Sequence, residues 1–296
     1  NGFPFEVPDV TITAMFLDSS NNLWIGTYDQ GYFVVYDYEE RFNNDTWLKS
    51  SLGHKSVVSV ECDSRDNLWI STLRDGLYFY DARSDIFRKV DMAGLFGSKE
   101  ADNLYMTSLF IDKDDNLWLA GYSGVVRCSY AGGRLKVDNF WPLFYPLSIS
   151  QDKSGRIWIG SIGEYLHYIS PEDDALHSIK VVSQGFTFTP YCLPLDDGKV
   201  LSASFQYGMN EIDGAENHVR QIAVEESMWK NCIERSVFVP SCMCLGKDGT
   251  VWIGTVANGL LRYDVATQAM HPVPGAPCLD IAAIEEDADG NLWVST

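Results

Sequence analysis

Six residues, Asn22-Leu23-Trp24-Ile25-Gly26-Thr27, recur along the whole of this chain. Close copies are Asn67-Leu68-Trp69-Ile70-Ser71-Thr72, Asn116-Leu117-Trp118-Leu119-Ala120-Gly121 and Arg156-Ile157-Trp158-Ile159-Gly160-Ser161. Thr250-Val251-Trp252-Ile253-Gly254-Thr255 and Asn291-Leu292-Trp293-Val294-Ser295-Thr296 follow, and a worn copy, Lys199-Val200-Leu201-Ser202-Ala203-Ser204, has leucine in place of tryptophan. Counted from Trp24, the steps between copies are 45, 49, 40, 43, 51 and 41 residues. A period in the forties demands a repeat architecture, in which each unit buries its apolar face against its neighbours.

The second copy shows what one unit is. Val57–Cys62 is a short β-rich run, Asp63–Asn67 a polar turn and Leu68–Thr72 a second run; Gly76 closes another turn before Leu77–Asp81, and Phe87–Val90 is a shorter fourth run. Short strands separated by turn signals at this spacing predict a four-stranded antiparallel meander. The second strand does not alternate, because leucine, isoleucine or valine flanks the tryptophan on both sides in nearly every copy. An uninterrupted apolar strand is buried on both faces of its sheet, so each sheet is sandwiched between two others. Four-stranded sheets stacked around an axis form a β-propeller, and seven copies predict seven blades.

In that arrangement Trp24, Trp69, Trp118, Trp158, Trp252 and Trp293 are the blade core. Burying about 150–250 Å² each is worth roughly 4–6 kcal/mol before ordering costs. The second and third positions after each tryptophan, such as Gly26 and Thr27, are small, as expected where neighbouring strands approach closely. The turn before it, as in Asp287-Ala288-Asp289-Gly290-Asn291, has some of the look of a calcium loop. The glutamate that such a loop requires would fall inside the apolar strand, so the turn reads as a hairpin and no metal is expected.

The chain is expected to be one domain over residues 1–296 that starts and stops inside a repeat. Residues near Phe3–Val7 would supply the outer strand of the blade built on Trp293, which stays incomplete because the sequence is cut mid-repeat. The net charge of −19 speaks against binding nucleic acid or anionic lipid, both of which need Lys and Arg to neutralise phosphate. Seven cysteines without C-x-x-C or zinc spacing read as mostly free, buried thiols, with room for one incidental disulfide, and leave the compartment open.

The pattern of a β-run, Asp-x-x-Gly-Asn, Leu-Trp-Ile-Gly-Thr and a Gly-Leu-x-x-Tyr-Asp strand resembles the two-component regulator propeller repeat. Asp248–Thr255 followed by Asn258-Gly259-Leu260-Leu261-Arg262-Tyr263-Asp264 fits closely, and the resemblance covers essentially the whole chain. It implies a propeller from the extracytoplasmic, periplasmic part of an inner-membrane sensor histidine kinase, often a hybrid one. Such a propeller lies in a tandem array with a second propeller and a β-sandwich domain, can work as a homodimer, and in gut Bacteroidetes responds to an oligosaccharide to control polysaccharide-utilisation genes. No cofactor and no catalysis are implied.

A rival resemblance is to the streptogramin lyase propeller, an enzyme. The five histidines lie in no H-x-H, H-E-x-x-H or G-x-S-x-G context, and His167, near Glu164, reads as a packing or surface residue. A lyase-like or hydrolytic propeller and a protein-interaction scaffold are therefore the alternatives. For binding, the loops between second and third strands open on one face. They place Tyr28, Arg74, Tyr122, Glu164, Tyr207 and Asn258 there as ligand candidates, and the connections add Trp229. Aromatic faces interspersed with hydrogen-bonding groups suit a sugar, whose C–H faces stack while its hydroxyls bond.

Overall fold

The computed structural model describes residues 10–18, 22–35, 52, 55–84, 86–92, 95, 105–131, 134–181, 191–204, 208–224, 239–256, 258–276 and 280–295. All regular structure among them is β. The first sheet holds β1 (Ile12–Leu17), β2 (Leu23–Thr27) and β3 (Tyr32–Val35). The second holds β4 (Val57–Cys62), β5 (Leu68–Thr72), β6 (Gly76–Asp81) and β7 (Ile86–Lys89). The third follows with β8 (Met106–Ile111), β9 (Leu117–Gly121), β10 (Gly124–Ala131) and β11 (Arg134–Pro142). The fourth has β12 (Pro146–Gln151), β13 (Ile157–Ser161), β14 (Tyr165–Ile169) and β15 (Leu176–Lys180). In the fifth are β16 (Tyr191–Pro194), β17 (Lys199–Ser204), β18 (Gly208–Asp213) and β19 (His218–Ile222). The sixth comprises β20 (Pro240–Leu245), β21 (Thr250–Thr255), β22 (Leu260–Asp264) and β23 (Ala269–Pro272), and β24 (Ala283–Glu286) pairs with β25 (Leu292–Ser295).

Every sheet is an antiparallel meander in sequence order. Against the seven blades expected from the repeat count, six sheets reach three or four strands and the repeat of Trp293 is a two-strand ladder. The reason is arithmetic: a third strand starts seven residues after the tryptophan, as Gly76 does after Trp69, and only Val294, Ser295 and Thr296 follow Trp293. The strand expected from Phe3–Val7 lies outside the described residues.

The chain divides into two compact units, residues 1–140 with 287–291, and residues 141–286 with 292–296. Within each, successive sheets pack face to face. All five positions of β2, β5, β9 and β13 are buried, which accounts for their lack of alternation. Trp24 packs on Leu68, Ile70 and Tyr78 of the next sheet, and Trp69 on Leu109, Leu117 and Leu119 of the one after. In the second unit Trp158 meets Val200 and Ile212, and Leu201 meets Val251 and Ile253. Trp24, Trp69 and Trp158 thus point forward, and Ile70, the residue after Trp69, points back. A Cβ on Gly26 would stand 2.6 Å from Val57 Cγ1, and one on Gly254 would stand 2.7 Å from Ile281, so the small residues are set by the neighbouring sheet.

A turn aspartate is the keystone of five repeats, those of Trp24, Trp69, Trp118, Trp158 and Trp293. Asp112 Oδ1 accepts from the backbone N–H groups of Asp114 and Asn116, both at 2.9 Å. Its Oδ2 accepts from Asn116 Nδ2 at 2.9 Å and from Trp118 Nε1 at 2.8 Å. Asp18 and Trp24, Asp63 and Trp69, and Asp152 and Trp158 form the same bond at 2.9, 3.4 and 2.7 Å. Asp287 holds Asn291 in the same way. The third residue before the tryptophan is left-handed: Asp66 and Asp115 have φ of 62° and 61°, and Gly155, Gly249 and Gly290 take that place elsewhere. Those side-chain oxygens are committed to the protein's own donors, which is the hairpin reading of the turn.

The innermost strands carry a feature absent from the sequence pattern. Their registers against the second strands slip between Ile12 and Ala14, Val57 and Ser59, Met106 and Ser108, Pro146 and Ser148, and Pro240 and Cys242. The bulge turns Thr13 Oγ1 onto Val57 O at 2.5 Å and Ser241 Oγ onto Ile281 O, hydrogen bonds from one sheet to the next.

Two substitutions test this construction by chemical denaturation. Trp69→Ala is expected to lower stability by about 3–5 kcal/mol. Asp112→Ala, which strands an indole N–H and an amide, should cost about 2–4 kcal/mol. A loss under about 1 kcal/mol for either, the size of an ordinary surface change, would remove it from the core.

Candidate functional site

The hairpin between second and third strands is built the same way in three repeats. Thr27 Oγ1 accepts from Gln30 N at 3.0 Å and donates to Gly31 O at 2.8 Å. Thr72 does the same with Asp75 N (3.1 Å) and Gly76 O (2.8 Å), and Thr255 with Asn258 N (3.2 Å) and Gly259 O (2.7 Å). Gly31, Gly76 and Gly259 close these loops at φ of 77°, 85° and 70°, a region that side chains disfavour. The threonine of the repeat is therefore a clamp, and the residues between it and the glycine are displayed.

In the first unit the displayed candidates are Tyr28, 57% exposed, Arg74, also exposed, and Tyr122, 46% exposed on the tight Gly121–Gly124 hairpin. In the second unit Glu164 is half-buried and bonded to Lys180 at 2.9 Å, and Asn258 is half-buried in its loop. Tyr207 and Trp229 lie outside the described residues.

The second repeat concentrates charge at its hairpin. Asp75 pairs with Lys55 Nζ at 2.5 Å and Lys89 Nζ at 3.3 Å, and accepts the Tyr78 hydroxyl. Burial alone would raise the Asp75 carboxyl, but the donors Lys55, Tyr78 and Lys89 outweigh it and hold it below its ordinary range. Arg74 lies 5.9 Å from the Tyr105 ring centre. Lys55 comes from the segment before β4, some twenty residues upstream, and hairpin composition gives no sign of it.

A groove of about 650 Å³ opens at the other end of the strands in the second unit. It is lined by Asp197, Lys199, Asp248, Thr250, Asp264 and Gln268 among others. Its carboxylates serve their own turns: Asp248 accepts Thr250 N at 2.8 Å and Asp264 accepts Thr267 N at 2.9 Å, and these backbone hydrogen bonds lower both carboxyls. Beside it Lys199 reaches the buried Glu211 at 3.3 Å, and Arg220 pairs with Glu211 at 3.0 Å. A lysine where four of the other six copies have asparagine is the sequence signal that marks this place.

His167 Nδ1 stands 2.8 Å from Ser178 Oγ across β14 and β15, the spacing of a base and a nucleophile. Burial pushes its pKa down to about 4, far from the value that suits a general base at neutral pH. Burial likewise raises the thiols of Cys62, Cys128, Cys242 and Cys244 to about 12, and these four are free. Cys232 and Cys278 lie outside the described residues. Among the described residues no group of three or more His, Cys, Asp or Glu could hold a metal.

The model of a two component regulator propeller matches residues 6–29 and 275–296. Those two segments match the repeat of the two-component regulator propeller family. The sequence matches none of the curated proteins. In structure, the chain is similar to the extracellular domains of two proteins described as hybrid two component systems from B. thetaiotaomicron, BT3049 and BT4673. The TM-scores are 0.73 and 0.75 at 16% and 17% identity, covering 98% and 100% of this chain. The chain spans 39% and 38% of those two domains. It is also similar to virginiamycin B lyase from Staphylococcus aureus, with a TM-score of 0.72 at 10% identity, over 97% of this chain and 92% of that one. At such identities the likeness establishes the fold, an all-β propeller of four-stranded antiparallel blades. Among the described residues no helix is long and apolar enough to cross a membrane.

The lowered pKa of His167 gives a pH test. In the unfolded chain the imidazole gains its proton near 6.5, whereas in the folded chain it stays neutral to about 4. Its contribution is thus present above pH 6.5 and lost as the pH falls from there toward 4. The melting-temperature difference between the parent chain and His167→Gln should narrow across that window; parallel curves would show that His167 titrates normally.

Proposed function

We propose that the chain is an extracytoplasmic, periplasmic ligand-sensing propeller of a two-component, hybrid sensor histidine kinase, and that its ligand is an oligosaccharide. The observation that carries this reading is the regulator-propeller match at both ends of the chain, supported by the fold likeness to two-component extracellular domains. In this reading residues 1–296 are one propeller of a tandem array. Its partners are the ligand, a second propeller and a β-sandwich domain of the same protein, and a second copy in a homodimer. Ligand engagement alters the placement of those domains and so controls polysaccharide-utilisation genes. The fragment has no catalysis of its own.

The candidate residues of the hairpins and connections are the proposed contacts: Tyr28 and Arg74 on clamped hairpins and Tyr122 in the first unit, Asn258 on a clamped hairpin and Glu164 in the second, with Tyr207 and Trp229. An exposed tyrosine ring on a loop tied down by a Thr–Gly pair offers a stacking surface whose ordering cost is already met by the fold. Calorimetric titration with a panel of neutral and acidic oligosaccharides is expected to find at least one that binds, with affinity reduced by Tyr28→Ala or Tyr122→Ala and an unchanged melting temperature. Silence across the panel would make this propeller a scaffold for other domains.

A further inference from the structure

The chain holds 22 Lys and Arg against 41 Asp and Glu, so a local surplus of positive charge is unusual on its surface. One stands at the hairpin of the second repeat. Lys55 and Lys89 both reach a single carboxylate, Asp75, and the exposed Arg74 beside it in the hairpin lies 5.9 Å from the Tyr105 ring centre, so these four residues sum to three minus one, or +2. The backbone explains the gathering. Leu73 N donates to Ser56 O at 2.9 Å, laying the Lys55 segment beside the hairpin, and Lys89 lies opposite Tyr78 in the β6–β7 ladder.

The fourth repeat provides an internal comparison. Glu164 stands six residues after Trp158, as Asp75 does after Trp69, and Lys180 lies opposite Tyr165 as Lys89 lies opposite Tyr78. There the carboxylate meets the outer-strand lysine at 2.9 Å. The second repeat makes the same tie with Lys89 and adds Lys55 to it, with Arg74 next to Asp75 in the hairpin.

Asp75 already receives two lysines and a tyrosine hydroxyl, whereas each ammonium has three donors and directs one at it. Arg74 is exposed and makes no ion pair among the described residues, so its planar fork of donors is available for an oxyanion. Lys55 and Lys89 are 28% and 48% exposed, partly desolvated yet reachable.

Building on the reading of the hairpin face as the ligand face, we propose that Lys55, Arg74 and Lys89 form an anion-recognition subsite that takes a carboxylate or sulfate group of an oligosaccharide. Asp75 orients the two lysines and sets the affinity by competing for them. The neutral part of such a ligand then extends over the remaining hairpin surface of the first unit, where Tyr28 is displayed.

The test is calorimetric titration of the 296-residue chain with tetragalacturonate, a sulfated carrageenan tetrasaccharide and maltotetraose. Binding of the first, the second or both is expected, and tells a carboxylate from a sulfate; it should weaken as salt is raised from 0.05 to about 0.3 M, because the contacts are screened at the surface. Arg74→Ala should weaken it about tenfold without moving the melting temperature. Asp75→Asn, which frees both lysines, should tighten it several-fold. A cluster that only ties the hairpin down predicts no binding of either charged probe. Binding of maltotetraose alone would overturn the anion subsite and leave the sensing reading standing, while silence from all three would overturn the subsite together with sensing of these sugars at this face. Unchanged affinity in both variants would place the anion elsewhere and overturn the assignment.

Discussion

In five of the seven repeats one turn carboxylate carries the architecture. An indole buried between two sheets leaves an N–H that no neighbouring aliphatic side chain can satisfy, and such an orphan costs about 1–3 kcal/mol. The turn aspartate six residues earlier removes that penalty, and in the same act fixes the turn through two backbone N–H groups and the asparagine amide. The turn, the first two strands and the forward-pointing tryptophan are therefore a single cooperative object. Sheet stacking then follows, since Trp24, Trp69 and Trp158, so held, present their rings to the next sheet as well as to an aromatic neighbour on their own third strand.

The fifth repeat shows the dependence by its exception. Where the tryptophan gives way to Leu201, the position six residues earlier is Leu195 instead of aspartate, and both are buried in the same apolar cluster. Acceptor and donor are both missing there, whereas the sixth repeat keeps Trp252 with Gly246 in the place of the aspartate. The same sheet replaces an aliphatic pair such as Ile253 and Leu261 with Ser202 and Asn210, whose Oγ and Nδ2 are buried without a partner. It also sets Glu211, with Lys199 and Arg220, opposite Leu201. Repeat regularity is relaxed here, and the groove beside Lys199 opens at this sheet and the next.

The stacking was legible because it shows in composition: Leu68, Trp69 and Ile70 in succession leave no wet face. The aspartate's role was visible only as spacing. Asp18, Asp63, Asp112, Asp152 and Asp287 each stand six residues before a tryptophan, but acidic residues in a turn look alike whether or not they reach an indole. The bulges were illegible, because an extra residue in the strand, such as Val58 or Leu147, has the same β-rich character as its neighbours. Arg74 and Tyr28 were legible as displayed residues from their place between Thr and Gly. What surrounds Arg74 was not, since Lys55 arrives from another segment and Lys89 from a strand end.

The Thr–Gly clamp separates two properties that most loops mix. Thr27 and Gly31, like Thr72 and Gly76, close their hairpin with bonds that involve none of the intervening side chains. The exposed residues between them, 28–30 and 74, are consequently exchangeable: their chemistry can drift without unsettling the blade beneath. Selection for a new ligand rewrites such positions independently, each carried on an unchanged frame, and a combinatorial library confined to residues 28–30 and 74 would sample binding surfaces at little risk to folding.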